Sequence, residues 1–254
     1  MKRTNLSAIG ISKTFSRTGS NDSLPVLDMI DFAIQEGEFV SILGPSGCGK
    51  STLLNILAGF EPADIGHATC CDDPIQAPSP ERAVVFQSPL LFPWLHVQDN
   101  VMYGLKQKGI SKADSEELAL KYIKDVGLEG FEGYYPSQLS GGMQHRVSLA
   151  RSLVLNPKVL LMDEPFSSLD AQTRYSMQQL LLRLWEDNRK TIVFITHDVE
   201  EALLISDRVC IMSQRPGKIV EEIKVTFDRP RDISLTSSQD FSRLKAHILT
   251  RLLS

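Results

Sequence analysis

At 254 residues the chain has room for one large domain or two small ones, and its 42% hydrophobic content allows a sizeable buried core. A formal charge of −4 gives it no broad basic surface, which excludes nucleic acid as the default partner. The four cysteines, Cys48, Cys70, Cys71 and Cys210, form no CxxC pair and no metal-ligand spacing, a pattern expected of reduced thiols in a cytosolic protein.

The opening MKRTNLSAIG lacks the apolar stretch of a signal peptide. No window reaches the roughly 18 apolar residues of a spanning helix. The richest one, Leu90 to Leu105, is broken by Pro93, Asp99 and Asn100. Work at a membrane would therefore need other subunits to cross it. Residues 1–43 read as short strands, ending in a buried run at Val40-Ser41-Ile42-Leu43. A glycine-rich turn follows at Gly44 to Gly49, and a helix is predicted from near Lys50 to about Gly59. Between 61 and 81, Pro62, Pro74, Pro78 and Pro80, with Pro89 just beyond, predict turns and short edge strands.

Residues 111–126 read as an exposed amphipathic helix with Leu118, Tyr122 and Val126 at spacing four, and another helix is predicted from near Ser140 to before Pro157. Val159-Leu160-Leu161-Met162 has no polar side chain, as in a strand covered on both faces. Met177, Leu180, Leu181, Leu184 and Trp185 lie at helical spacing within 172–187. Thr191 to Thr196 and Arg208 to Met212 read as two further strands. Strands alternating with helices argue for a mostly parallel α/β sheet, with 83–155 as a helical insertion. Beyond Pro216-Gly217 a strand at 218–225 and a proline-containing linker lead to a last helix. That helix carries Phe241, Leu244, Ile248 and Leu252 on one face, starts at Ser237 with Asp240 three residues on, and reads as a packed appendage.

Two motifs carry chemistry without any family comparison. Gly44-Pro45-Ser46-Gly47-Cys48-Gly49-Lys50-Ser51 fits G-x-x-x-x-G-K-[ST] between a buried strand and a helix. Glycines let the backbone curl so that N–H groups face phosphate oxygens, and the helix N-terminus adds partial positive charge. Lys50 would supply a point charge to the β and γ phosphates and the Ser51 hydroxyl would ligate Mg²⁺; Thr52 completes the stretch. Cys48 is either filler in the loop or a thiol activated by the helix start. Asp163-Glu164 follows the apolar strand directly. Asp163 is the candidate Mg²⁺ partner, and Glu164, one residue on, the candidate group to polarise water for in-line attack. His67, His96, His145 and His247 carry no motif and read as surface or packing residues.

Leu139-Ser140-Gly141-Gly142-Met143-Gln144 resembles the signature motif of the ABC ATPases. Further pieces follow in that family's order: Gln87 in Val-Phe-Gln-Ser-Pro looks like the Q-loop glutamine, Ser167-Ser168-Leu169-Asp170 like the D-loop, His197 in Ile-Thr-His-Asp like the switch histidine, and Phe15 like the aromatic that stacks on adenine. The resemblance covers about residues 5–225. It implies an α/β P-loop NTPase (RecA-like) core with an N-terminal antiparallel β subdomain and a helical subdomain inserted at about 88–157. The ATPase domain would span 1–225, and 226–254 would be a linker and helix.

The resemblance also implies a homodimer with two ATP molecules. ATP on residues 44–52 of one copy would be closed over by Ser140, Gly141 and Gly142 of the other, with Phe15 and Asp170 also at the nucleotide. Glu164, His197 and Gln87 would be the catalytic groups, and Ser51, Gln87 and Asp163 the Mg²⁺ partners. Two integral membrane permease subunits are implied, with the chain peripheral on the cytoplasmic face of the inner membrane and a periplasmic or lipoprotein solute-binding protein as an indirect partner. The apolar stretch Ser88 to Leu95 is either core or a groove for a short helix of the permease. That stretch and the tail from Arg215 to Asp232 look like the bacterial nitrate, sulfonate and taurine importers.

The other reading, a soluble ABC ATPase acting on nucleic acid or ribosomes, is disfavoured. The pI is about 5.8, a single motif set is present, and the 90 residues from Lys50 to Ser140 hold no sustained heptads. A nonhydrolysing scaffold conflicts with the presence of Glu164 and His197.

Overall fold

A computed structural model describes residues 3–16 and 23–253, without the Asn188 side chain, so residues 17–22 of the strand-rich first stretch lie outside it. The chain forms two compact units, one from residues 1–79 and 190–254, the other from 80–189. Elements are numbered along the whole chain.

In the first unit β1 (Thr4–Ser16) and β2 (Ser23–Gln35) pair antiparallel. Along β2, Ile30, Phe32 and Ile34 are buried while Asp31 and Ala33 are exposed. Alternation of this kind marks a sheet with one face on the core and one in water. β4 (Ile65–Cys70) takes the other side of β1, and β5 (Asp73–Pro74) pairs with β4. A second sheet holds β3 (Phe39–Leu43) between β8 (Thr191–Ile195) and β9 (Arg208–Met212), all parallel. Every residue of β3 and β8 is buried, which is why both read as mostly apolar runs, with Ser41 and Thr191 the polar exceptions. β10 (Ile219–Lys224) pairs antiparallel on β9 and alternates half-buried with exposed. Helix α1 (Lys50–Ala58) leaves β3 through the glycine-rich turn, and α6 (Val199–Ile205) follows β8.

The end of the chain packs on this unit. Arg231 is buried and donates to the carbonyls of Phe227, Leu203, Ser206 and Val225 at 2.6–3.2 Å, which anchors the proline-containing linker; burial pulls its pKa down to about 10. Helix α7 (Gln239–Leu253) buries Phe241 and Ile248, with Leu244 and Leu252 half-buried beside them. It starts one residue later than the pattern suggests. Ser237 ends a short 3-10 turn (Ile233–Ser237), and the Ser238 hydroxyl accepts from Phe241 N–H at 3.2 Å. Lys245 pairs with Glu200, and His247 and Arg251 both reach Glu221.

In the second unit β6 (Arg82–Val85) and β7 (Val159–Asp163) pair in parallel. Helices α2 (Val97–Gln107), α3 (Lys112–Asp125) and α4 (Gly141–Leu153) lie between them in sequence, and α5 (Ala171–Asn188) follows. The α3 face is rotated from the one predicted. Ser115, Ala119, Ile123 and Val126 are buried, whereas Leu118 and Tyr122 are only half-buried. Small Ser115 and Ala119 let the helix approach its neighbours closely, and the larger pair flanks the contact.

Candidate nucleotide site

The first unit supplies the phosphate loop. Lys50 is buried at the start of α1, and its ammonium donates to the carbonyls of Gly44 at 2.8 Å and Pro45 at 3.1 Å. The loop thus curls round its own lysine. Gly49 caps α1 with φ at +109°, and a Cβ there would lie 2.7 Å from Leu27 Cδ2. Only glycine meets both demands. Ser46, Gly47 and Ser51 are exposed and Thr52 is half-buried. Cys48 is buried against Gly44, and burial raises its thiol pKa. An inert filler fits this setting better than an activated thiol.

Two other residues of the first unit belong with the loop in sequence order. Phe15 sits on β1, with the Lys13 ammonium over its ring 5.2 Å from the centroid. Lys13 is itself held by Glu61 and Asp64. His197 is exposed in the turn after β8. Both neighbours pin that turn: Thr196 bonds Glu201 and the Asp198 N–H, and Asp198 Oδ1 accepts from the N–H groups of Glu200 and Glu201 at the start of α6.

The second unit carries the rest. Asp163 ends β7 half-buried. Glu164 follows at φ +44°, in the left-handed region that non-glycine residues rarely occupy, so the backbone leaves the strand line at this carboxylate. Gln87 is exposed, two residues past β6. Ser140 caps α4, its hydroxyl accepting from Met143 N–H at 3.3 Å, and Gly141 and Gly142 form the first turn. Asp170 caps α5, accepting from Thr173 N–H at 3.0 Å, and hydrogen bonds from Thr173 hold its carboxyl below the usual range. Behind the signature turn His145 is buried, with Nε2 3.2 Å from Ser168 Oγ.

The stretch after Gln87 is not core. Leu90 is 58% exposed and Trp94 69% exposed, with the Phe92 ring in tilted contact with both Trp94 and Tyr103. Its backbone is nevertheless held. Buried Asn100 bonds Phe92 through both N–H and carbonyl and also takes the Leu95 and His96 carbonyls, and Arg151 donates to Pro89 and Leu90. In the sequence Asn100 only interrupted an apolar window; its side chain secures the loop.

Residues 27–167 match the family profile described as ABC transporter. The chain belongs to the ABC transporter family. An uncharacterized ABC transporter ATP-binding protein of Methanocaldococcus jannaschii, MJ0412, is 46% identical over 242 residues, 95% of this chain and 89% of that one. The taurine import ATP-binding protein TauB of Escherichia coli K12 is 44% identical over 233 residues, 90% of this chain and 91% of that one. Among solved structures, the ATP-binding cassette MJ0796, dimeric in a post-hydrolysis state bound to ADP and Pi, superposes with TM-score 0.76 at 32% identity, over 88% of this chain and all of that one. A second dimeric structure of MJ0796 gives 0.77. The chain is therefore an ABC ATPase on the α/β P-loop fold, and an ATP-binding, ATP-hydrolysing protein.

Proposed function

We propose that this ABC ATPase powers import of taurine, a sulfonate, nitrate or a related small solute, as a homodimer beneath two membrane-spanning permease subunits at the cytoplasmic face of the inner membrane. The observation that carries the reading is its 44% identity with a taurine import ATP-binding protein across nine-tenths of both chains. No helix among the described residues is long and apolar enough to cross a membrane, so the permeation path would belong to other subunits. Exposed Leu90 and Trp94, on a loop secured by Asn100 and Arg151, suit a groove for a short permease helix. The solute itself would reach the permease through a separate binding protein.

In this reading the phosphate loop of one copy grips ATP from beneath and Ser140, Gly141 and Gly142 of the other cap it. Lys50 would exchange its two backbone carbonyls for phosphate oxygens. Ser51, Asp163 and Gln87 would hold Mg²⁺, which supplies charge neutralisation on the phosphates. No group of three or more His, Cys, Asp and Glu side chains among the described residues could hold a metal unaided, which fits an ion that arrives on a nucleotide. Glu164 would orient and deprotonate water, His197 contact the γ-phosphate, Phe15 stack on the base and Asp170 order the turn beside it. Deleting the gene should abolish uptake of one of these solutes, and the purified chain should bring down an integral membrane protein. Unchanged uptake of taurine, sulfonates and nitrate would remove the solute class, and co-purification with ribosomes or nucleic acid would remove the transport role.

A further inference from the structure

The turn between β9 and β10 is wedged against the phosphate loop, within one compact unit. Gly217 N–H donates to Val26 O at 2.8 Å, and Asp28 N–H donates back to Gly217 O at 3.1 Å. A Cβ on Gly217 would collide with the Cys48 carbonyl, so the backbone of the turn lies directly on the loop. From this turn Arg215 reaches across, and its Nε and Nη2 both donate to the Gly47 carbonyl, at 2.9 and 2.6 Å.

Three loop carbonyls are therefore accounted for by cations of this chain: Gly44 and Pro45 by Lys50, Gly47 by Arg215. The two cations differ in what a nucleotide can do to them. Lys50 sits inside the curl and can let go of its carbonyls for phosphate. Arg215 holds the loop from the far side of a peptide bond, where it can stay when phosphate arrives. A loop that binds anions through N–H groups needs its carbonyls turned away and held there. A charged donor on the carbonyl of Gly47 also polarises that peptide, which makes its own N–H, on Cys48, a stronger donor; that N–H makes a long bond to Pro45 O at 3.3 Å, which a phosphate oxygen would replace.

We propose that Arg215 is a positioning residue of the phosphate loop, setting the 47–48 peptide for the nucleotide's phosphates without touching them. The inference rests on reading residues 44–51 as the phosphate site. The turn does not depend on the guanidinium to stay folded. Besides the bonds of Gly217, Ser213 N–H donates to Lys218 O at 2.9 Å, Lys218 N–H donates to Ser213 Oγ at 3.0 Å, and Lys218 pairs with Asp28 at 2.7 Å. Loss of the Arg215 side chain should thus act on nucleotide affinity and leave the fold alone.

The test measures MgATP affinity by calorimetry, KM and kcat for ATP hydrolysis, and the melting temperature of the nucleotide-free full-length chain, for Arg215→Ala, Arg215→Gln and Lys50→Ala. Arg215→Ala should weaken affinity and raise KM about 5- to 20-fold, with kcat within about twofold, the scale of one exposed charge-assisted hydrogen-bond pair. Its melting temperature should stay within about 2 °C of the unsubstituted chain. Arg215→Gln, which keeps a donor without the charge, should fall between the two. Affinity unchanged in Arg215→Ala while Lys50→Ala loses binding overturns the inference and leaves the phosphate loop standing. A fall in melting temperature that accompanies the weaker binding overturns it in favour of a structural role. Unchanged affinity in Lys50→Ala removes the phosphate loop and the inference with it.

Discussion

At the start of α1 a Cβ on Gly44 would lie 2.8 Å from Cys48 Sγ, and one on Gly49 2.7 Å from Leu27 Cδ2; at the start of α4 a Cβ on Gly141 would meet nothing within 4 Å. Gly142 is tighter, with Thr173 Cγ2 at 2.6 Å, the end of one side chain. Both helix starts are glycine-bearing and both present N–H groups, yet their glycines answer to different neighbours. Those of the phosphate loop are required by this chain: backbone conformation and close packing leave no room for a side chain. Gly141 is required by nothing in its own chain among the described residues. A glycine in a first helical turn sacrifices some helix propensity, and under the proposed function that loss is offset by a body that approaches from outside. A nucleotide held on a second copy is such a body, and MJ0796, to which this chain is similar, is dimeric with ADP and Pi.

The largest expected effect tests whether the two helix starts meet on one ATP. Glu164→Gln should lower turnover about 10²–10⁴-fold while leaving ATP binding intact, the scale of a lost general base. With hydrolysis blocked and MgATP present, the variant should elute as a dimer on size exclusion. A monomer with bound ATP would end the external explanation of Gly141, and full activity would remove Glu164 from the chemistry.

A contrast of glycines comes next. Gly49→Ala forces a Cβ into Leu27 and Val26 at φ +109°, and should destabilise the nucleotide-free chain by about 2–3 kcal/mol in urea unfolding, because strain and overpacking add. Gly141→Ala should instead raise stability by about 0.5 kcal/mol, as alanine suits a helix better. The same Gly141→Ala should slow ATP hydrolysis about tenfold, since a methyl then stands where the outside body must approach. Equal destabilisation by both substitutions would erase the distinction between the two starts.

The difference between the regions also explains what could be read from residues alone. The phosphate loop, the run at Val159 to Met162 and the strands at Thr191 and Arg208 were legible because fully buried strands and glycine-lysine turns tolerate few other residue types. The helix lengths were close for the same kind of reason: Gly59 ends α1 and Ser140 opens α4 as expected. The buried face of α3 was misplaced by a simple spacing rule that favours large residues, when small Ser115 and Ala119 make the contact. Arg215, Asn100 and Arg231 escaped notice because each works by holding carbonyls far away in sequence, and no local pattern encodes a backbone acceptor. Glu164's left-handed backbone was equally invisible, since glutamate has no preference for it.

The smallest effect concerns what holds the open helix start from behind. His145, on α4, reads from the sequence as a surface or packing residue; it is buried, with Nε2 3.2 Å from Ser168 Oγ, in the segment that leads to the Asp170 cap. Its Nδ1 is buried and has no hydrogen-bond partner among the described residues. A neutral ring with the proton on Nε2 leaves only an acceptor unpaired there; protonation would add a buried N–H with nowhere to donate. Burial accordingly lowers the His145 pKa from its ordinary 6.5. The sign follows from linkage: below about pH 6.5 the unfolded chain takes up this proton more readily than the folded one, so stability is lost as pH falls through that window and is fully present above it. His145→Gln keeps a donor for Ser168 and removes the titration. Urea unfolding at pH 8 and pH 5 should show the parent chain losing more stability than the variant over that interval. Equal losses would mean that His145 does not set this window, and that the back of the signature helix is held by packing with no part played by a neutral imidazole.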